Sequence, residues 1–199
     1  IEAGPLGEID TAGVRARHVN NPGGNPSFKP LVLSDARFLI PEQRGWPKFF
    51  VADTATNRGD PRWLLVFRRA GPEQPWKADF LAMAQPGQLP DVALDKDGHA
   101  QAVPLAGTGL LVQPGQLSPT YASYLQDGKG AVFAAGASTT QLRDSRKEHM
   151  TTANSVTQYA DLPAGGGDFT PVALRTKDGG ALVFFGTRHQ ARSTYREGY

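Results

Sequence analysis

Three strand-like segments in succession constrain the fold of this chain more than any other feature. Residues 46–54, 62–69 and 76–84 are rich in aromatic and aliphatic side chains, and these alternate between the two faces of an extended chain. The connections at residues 57–61 and 70–75 are polar and contain Gly and Pro, which favour tight turns. The pattern predicts an antiparallel meander that organises the rest of the chain.

The middle segment of the meander is apolar on both faces. Period two separates its large side chains into two sets, with Trp63, Leu65 and Phe67 on one face and Leu64 and Val66 on the other. A strand that is covered on both sides lies inside a sheet, so we expect this segment to be central. The third segment is expected to be half-buried, because one face is apolar throughout: Trp76, Ala78, Phe80 and Ala82.

Further strands are predicted before and after the meander. Alternation and turn residues predict strands at residues 31–40 and 155–161 and a hairpin made by residues 169–176 and 181–192. The turn of that hairpin is Lys177-Asp178-Gly179-Gly180. Near the start of the chain, the spacing of apolar residues predicts a short helix at residues 9–19, and the Asn, Pro and Gly of residues 20–30 predict a loop.

Two helices are expected between the meander and the hairpin. Ser118 and Pro119 have the residue types of a helix cap and a first helical residue, and Gly128 follows the expected end, which predicts a helix at residues 119–127. Residues 139–150 form the second predicted helix. Its charged stretch, residues 143–148, is expected mostly to face water.

These elements predict an α+β fold, with antiparallel sheet in two segments and short helices between them. The sequence Leu-Val-Phe occurs at residues 65–67 and again at 182–184, each time in a return strand, and this leaves open both two related halves and a chance similarity. We expect an N-terminal sheet half at residues 1–103 and a C-terminal helix-plus-hairpin half at residues 104–199. One continuous domain is the alternative.

Composition limits the class of protein. A chain of 199 residues that is 39% hydrophobic can bury a core, and its 23 Gly and 16 Pro predict many turns. The net charge of +2 gives no basis for nucleic-acid binding. The absence of Cys excludes disulfides and thiolate chemistry, and no apolar run approaches the length of a membrane span. Because the sequence begins at Ile1, we expect an upstream segment such as a signal peptide or an anchor.

Several stretches resemble one protein family. They are Ala36-Arg37-Phe38-Leu39-Ile40-Pro41, Trp46-Pro47-Lys48-Phe49-Phe50-Val51, Leu64-Leu65-Val66-Phe67, Pro75-Trp76-Lys77, residues 89–98 and the closing residues 173–184. In this arrangement the chain resembles secreted actinobacterial, streptomycete-type lipoproteins of unknown function. The resemblance implies an extracytoplasmic protein, secreted or tethered to the membrane through an upstream lipid anchor. The element order is also similar to the curved sheet of cystatin-like and nuclear-transport-factor-like (NTF2-like) proteins, which implies architecture only.

Metal sites have little support in the sequence. His18, His99, His149 and His189 are isolated, and none has a second His at helical spacing. Asp95-Lys96-Asp97-Gly98 places two carboxylates before a Gly but lacks the further ligands of a calcium loop, so a plain turn is the better interpretation. We expect neither a metal nor a cofactor.

Catalytic motifs are equally scarce. No Gly-x-Ser-x-Gly elbow and no Cys nucleophile occur in the sequence. Asp53, Asp79, Tyr121 and Tyr124 could form the Asp–Tyr pocket of a steroid-isomerase-like enzyme. Solvated positions on the strands or at their ends are the simpler interpretation for both aspartates, and no catalytic residue is assigned.

The strand near the C-terminus carries the clearest candidate contacts. Arg188, Arg192 and Arg196 recur every four residues and would share one strand face, either as a basic stripe for anionic lipid or wall polymer or as a solvated face. His189 belongs to the opposite face, with Phe185 and Thr187. The candidate residues for a ligand or partner are Tyr121, Tyr124, Arg188, His189 and Arg192.

The sequence therefore favours a non-enzymatic, extracytoplasmic binding or interaction module of the cell envelope. Its partner would be an envelope protein or a small apolar ligand held between sheet and helix, with no nucleic acid involved. An accessory subunit of a membrane-associated complex is a related possibility. The alternative from a different class is a small pocket enzyme that performs proton transfer or hydrolysis. It requires a closed cavity that contains a buried Asp or His within hydrogen-bond reach of a Tyr or a second acid.

Overall fold

The computed structural model describes residues 29–129 and 132–196, together with Leu6, Val19, Gly23 and Ser27. His18, nearly all of the predicted helix at residues 9–19 and most of the predicted loop at residues 20–30 lie outside this range. The chain forms two compact units. The first contains residues 29–104 and 172–184, and the second contains residues 105–171 and 185–196.

The first unit is built on a four-stranded antiparallel sheet in the order β1-β2-β3-β4. Its strands are β1 (Leu33–Leu39), β2 (Lys48–Thr56), β3 (Gly59–Arg69) and β4 (Lys77–Ala84). β3 lies between β2 and β4, which confirms the predicted central strand. Val66 is fully buried and lies opposite Val51 of β2, so the most protected part of the sheet is its middle.

The core of the first unit lies on one face of this sheet. Leu64 and Val66 of β3 pack there against residues that come from much later in the chain: Val172, Leu174 and Phe184. The later residues belong to a hairpin of β6 (Val172–Arg175) and β7 (Ala181–Phe184), whose turn contains Gly179 at a φ of +88°. A positive φ of this kind favours glycine.

This hairpin is shorter than the sequence predicts. Its ladder ends at the pair Val172 and Phe184, because the preceding residue, Pro171, has no N–H to donate to a further rung. The second predicted strand is therefore interrupted at Phe185. The part that follows, β8 (Gly186–Tyr195), pairs instead with β5 (Ser155–Ala164).

The second unit consists of the β5–β8 ribbon and two helices, α1 (Leu117–Asp127) and α2 (Leu142–Met150). Both helices confirm the sequence prediction, and Gly128 ends α1 at a φ of +79°. A π-helical turn, Ala137–Gln141, leads into α2. Antiparallel sheets with two short helices in the described part of the chain confirm the predicted α+β class.

Ser118 differs from its predicted role as a helix cap. α1 begins at Leu117, two residues before the predicted start, after a 3-10 turn at Pro114–Gln116, so Ser118 is already helical. Its side chain is completely buried. The hydroxyl donates to the carbonyl oxygen of Gly186 at 2.6 Å and accepts from the backbone N–H of Ala164 at 2.8 Å. Ser118 thereby ties α1 to the adjacent ends of β5 and β8.

We expect the Ser118→Ala variant to lose about 1–3 kcal/mol of stability, since the buried N–H of Ala164 would lose its acceptor. Urea unfolding followed by far-ultraviolet circular dichroism measures the loss. Ser123→Ala is the matched control, because Ser123 lies on the exposed side of the same helix and its replacement should change stability by less than about 0.5 kcal/mol. Equal effects of the two substitutions would contradict this role of Ser118.

Asp53 and Asp79 do not occupy the solvated positions expected from the sequence. Asp53 is 3% exposed and accepts from Arg62 at 2.5 Å and Arg37 at 3.2 Å. Asp79 is 6% exposed, and the Nε of Arg68 lies 2.8 Å from its carboxylate. Arginine pairing offsets the cost of burying each carboxylate.

A β-bulge explains the burial of Asp79. The register of β3 and β4 pairs Val66 with Phe80 and Phe67 with Ala78, which leaves Asp79 as the extra residue between two rungs. A bulge redirects the side chain of its extra residue and interrupts strict alternation. Asp79 therefore reaches Arg68, although simple period two placed it on the solvent side.

Candidate functional site

The β5–β8 ribbon holds the candidate residues on two different faces. Its ten antiparallel pairs run from Ser155 opposite Tyr195 to Ala164 opposite Gly186. The helix-side face contains Asp161 and His189, which contact residues of α2 and α1. The other face, which we call the open ribbon face, consists of Val156, Gln158, Ala160, Leu162, Arg188, Gln190, Arg192 and Thr194.

Asp161 is the centre of the helix-side face. Its carboxylate is 1% exposed and is held from two sides. Arg146 of α2 donates two hydrogen bonds, at 2.7 Å to Oδ2 and 3.1 Å to Oδ1, while Nδ1 of His189 lies 2.5 Å from Oδ1. Burial alone would raise the pKa of Asp161, but the hydrogen bonds from Arg146 and His189 outweigh it and hold the pKa below its usual range.

His189 links Asp161 to a hydroxyl group. An ionised carboxylate only accepts hydrogen bonds, so Nδ1 of His189 carries the proton shared with Asp161. Nε2 lies 3.0 Å from Oγ1 of Thr187 and, in the neutral ring, accepts a hydrogen bond from it. The result is a hydroxyl–imidazole–carboxylate chain, in which the guanidinium of Arg146 balances the negative charge of Asp161.

Sequence reasoning missed both Asp161 and Arg146. Arg146 belongs to the charged stretch that was expected mostly to face water, but its side chain is only 13% exposed. It also stacks over the ring of Tyr159, with its Cζ 5.0 Å from the ring centroid. One feature of the sequence could have indicated Asp161: it is a single carboxylate that falls on the same strand face as Tyr159.

Tyr121 and Tyr124 lie within the packing of α1. The ring of Tyr121 makes edge contacts with Phe133 at 5.4 Å and Phe185 at 5.8 Å, and its hydroxyl donates to the carbonyl of Ser138. Burial raises the pKa of the Tyr121 phenol, although the nearby positive charge of Arg146 opposes the rise. Tyr124 is 4% exposed. A ligand-binding role for these two residues stays a prediction.

Arg188 and Arg192 share the open ribbon face and lie opposite Leu162 and Gln158. The guanidinium of Arg188 lies 5.5 Å from the ring centroid of Phe169, and Arg192 is exposed. None of the eight residues of this face is acidic. Of the candidate residues, Arg188 and Arg192 thus lie together on the open ribbon face. His189 lies on the helix-side face, where its ring is 6.4 Å from that of Tyr121 in α1.

The segment Asp95-Lys96-Asp97-Gly98 forms the predicted turn. Oδ1 of Asp95 accepts the backbone N–H groups of Asp97 and His99, both at 2.9 Å, and Gly98 has a φ of +85°. The hydrogen bond from the N–H of His99 is the main reason that the pKa of Asp95 is lowered. Among the residues that the structure describes, no group of three or more His, Cys, Asp or Glu side chains is arranged to hold a metal ion.

The chain is similar to lipoproteins of two Streptomyces species. It is 48% identical to an uncharacterized lipoprotein of Streptomyces coelicolor over 196 residues, which cover 98% of this chain and 59% of that protein. A lipoprotein of Streptomyces avermitilis is 44% identical over 195 residues, 98% of this chain and 58% of that protein. A second S. coelicolor lipoprotein is 29% identical over 171 residues, 79% of this chain and 46% of that protein. The chain spans less than two thirds of the length of these relatives. No solved structure matches it.

This kinship and the fold define the class: an α+β domain of an extracytoplasmic protein of the lipoprotein type, as the resemblance implied. The chain belongs to a family described as a domain of unknown function, DUF8094, which matches residues 1–198. No helix within residues 29–129 and 132–196 combines the length and apolar character needed to cross a membrane. The likeness to cystatin-like or NTF2-like sheets stays a prediction.

Proposed function

We propose that this domain is a non-enzymatic binding module of the cell envelope and that it holds a protein partner on the open ribbon face. One observation carries the proposal: two arginines and exposed apolar side chains lie together on this face without any carboxylate. Val156 and Leu162, at 40% and 46% exposed, supply the apolar contacts. Arginine is enriched among the residues that dominate binding energy at protein interfaces.

The chemistry of the open ribbon face supports a partner of a particular kind. Arg188 and Arg192 are four residues apart on one strand, which separates them by about 13 Å at the rise of a β-strand. A complementary partner would present two carboxylates at that spacing, together with apolar groups that meet Leu162 opposite Arg188 and Val156 beyond Arg192. As an accessory subunit of a membrane-associated complex, the domain would use this face as its contact. We also propose that the four-stranded sheet of the first unit is of the cystatin-like or NTF2-like type.

Site-specific photo-crosslinking in the native cells tests this proposal. With the full-length protein carrying a photoreactive residue at Gln190, we expect one discrete protein adduct, and a photoreactive residue at Lys96 in the turn of the first unit should not yield it. Combining Arg188→Glu with Arg192→Glu should reduce the adduct by at least about ten-fold.

The matched control makes the same change in net charge elsewhere on the surface. Lys96→Glu combined with Lys129→Glu reverses two exposed lysines and should leave the adduct at its original yield. The proposal fails if both double variants lose the adduct equally, which would indicate a general charge effect. It also fails if the adduct forms equally from Lys96.

A small apolar ligand is an alternative occupant of the ribbon. Its middle borders an open depression of about 480 Å³, lined by Gln158, Tyr159, Ala160, Gln190, Ala191 and Arg192. Half of these side chains are polar or charged, whereas sites for small apolar molecules are lined mostly by apolar groups. A protein partner therefore fits this surface better.

One arrangement favours a second candidate function, proton transfer or hydrolysis at His189. The chain from Thr187 through His189 to Asp161 has the order of groups that activates a hydroxyl. Arg146 weakens the case, because it neutralises the carboxylate that would stabilise a protonated imidazole. Turnover of an ester or ketone substrate that disappears in both His189→Gln and Thr187→Val would establish this function in place of the binding role.

A further inference from the structure

The sheet of the first unit has a second face, opposite its core, that is unusually aromatic. Strand pairing places Phe50 beside Phe67, Ala52 beside Leu65, and Thr54 beside Trp63 on this face. We call it the aromatic face; it consists of Phe38, Trp46, Lys48, Phe50, Ala52, Thr54, Trp63, Leu65, Phe67, Arg69, Trp76, Ala78, Leu81 and Met83. All three tryptophans of the protein belong to it.

Ring contacts make the centre of the aromatic face continuous. Phe50 stacks on Phe67 at 5.0 Å, meets Trp76 edge-on at 4.9 Å and lies 6.1 Å from Phe38. Near the margins, large apolar side chains are exposed to solvent: Phe38 is 57% exposed, Met83 65%, Leu81 36% and Trp46 40%. A contiguous apolar patch of this kind on a folded protein marks an interaction site.

The charges of the aromatic face have one sign. Lys48 and Arg69 both lie beside Trp46, with Nζ 5.2 Å and Cζ 5.5 Å from its ring centroid, and Arg69 also lies 6.0 Å from Trp76. No Asp or Glu occurs among the fourteen residues. The carboxylates of Asp53 and Asp79, which belong to the same sheet, pair with arginines instead.

We propose that the aromatic face docks on the surface of an anionic lipid bilayer. The tryptophans and the cations beside them match the interfacial zone of a membrane, where amphipathic aromatic rings and basic side chains are favoured. Exposed Phe38, Leu81 and Met83 would enter the acyl boundary, while Lys48 and Arg69 would meet lipid phosphates. The relatives are lipoproteins, so a bilayer lies within reach of a tethered domain.

Tryptophan emission provides a direct test, because every tryptophan lies on the proposed contact face. The 199-residue chain is mixed with vesicles of phosphatidylcholine and phosphatidylglycerol, and separately with vesicles of phosphatidylcholine alone. We expect a blue shift with the anionic vesicles, quenching when their acyl chains are brominated, and a weaker response to neutral vesicles or in high salt.

Substitutions at positions outside the core, one exposed and one half-buried, assign the binding to this face. Met83→Asp should weaken vesicle affinity by about ten-fold or more, since a largely exposed apolar side chain becomes charged. Lys48→Gln should weaken it about five-fold, as expected for one basic residue near a membrane surface. Leu111→Asp is the control, because Leu111 is 82% exposed and belongs to the second unit.

Three results would overturn the proposal. Equal affinity for neutral and anionic vesicles would remove the charge argument. Equal losses in Met83→Asp and Leu111→Asp would show that another surface binds the lipid. A blue shift that grows with protein concentration in the absence of vesicles would show that a second copy of the chain covers the face.

Discussion

Replacing Asp161 with Ala should lower the free energy of unfolding by about 3–5 kcal/mol, the largest effect that we expect from a single charged residue in this chain. The substitution leaves Arg146, whose side chain is 13% exposed, without the two hydrogen bonds that compensate its burial. It also removes the partner of His189 Nδ1. Urea unfolding followed by far-ultraviolet circular dichroism measures the effect.

A double-mutant cycle separates the ion pair from simple packing. Replacing the pair with apolar residues, Arg146→Met together with Asp161→Leu, should recover most of the lost stability because no unpaired charge remains. Asp144→Ala is the surface control: its ion pair with Lys147 on the same helix is exposed and should contribute less than about 1 kcal/mol. Purely additive effects in the cycle would contradict the proposed coupling.

The lowered pKa of Asp161 gives this prediction a pH dependence. A carboxyl group whose pKa is lower in the folded than in the unfolded protein contributes stability above its unfolded pKa and loses it as the pH falls through the folded pKa. Stability of the parent should therefore fall when the pH drops below about 4, the usual value for aspartate. The fall should be shallower in Asp161→Ala, and identical acid limbs would refute the linkage.

Leu174→Ala should destabilise the chain by about 2–5 kcal/mol, the range for cavities left by a buried leucine. Leu174 has no exposed surface and lies at the centre of the first unit's core, together with Val66 and Phe184. A short hairpin strand has little freedom to move into the space, because both of its neighbours along β6 also pair with β7. The lower midpoint of urea unfolding at an unchanged slope would report the loss.

Leu94→Ala is the matched control for this core substitution. Leu94 is 50% exposed in the turn region of the same unit, and its replacement should cost less than about 1 kcal/mol. If Leu174→Ala were no more harmful than Leu94→Ala, the hairpin would not be part of the core.

The sequence predicts those elements whose stability depends on local pattern. Both faces of residues 62–69 are apolar, and β3 is indeed an interior strand. Gly128 and the residues before it predict α1 because a left-handed residue at a helix end is a local requirement. The turns at residues 95–98 and 177–180 are likewise specified by their own Asp and Gly.

Contacts between residues that are far apart in the sequence could not be predicted from local patterns. Nothing local indicates that Arg146 in a charged helix will meet Asp161 in a strand, since the contact depends on how the helix is placed on the ribbon. The burial of Asp79 depends on a one-residue bulge, which period-two reasoning cannot detect. The interruption of the strand at Phe185 is caused by Pro171, which lies just beyond the last pair of the ladder on the opposite strand. Pro171 is visible in the sequence, but the register that places it there is not.

Because the first unit is made of two parts that are far apart in the sequence, its core can be completed only late in translation. Strands β1 to β4 emerge long before β6 and β7, yet Leu174 and Phe184 complete the core beneath Val66. Until translation passes residue 184, the nascent first unit must leave part of its apolar surface uncovered. Since exposed apolar surface and unpaired strands promote aggregation, the first unit is protected from misassembly only once the chain up to residue 184 is available.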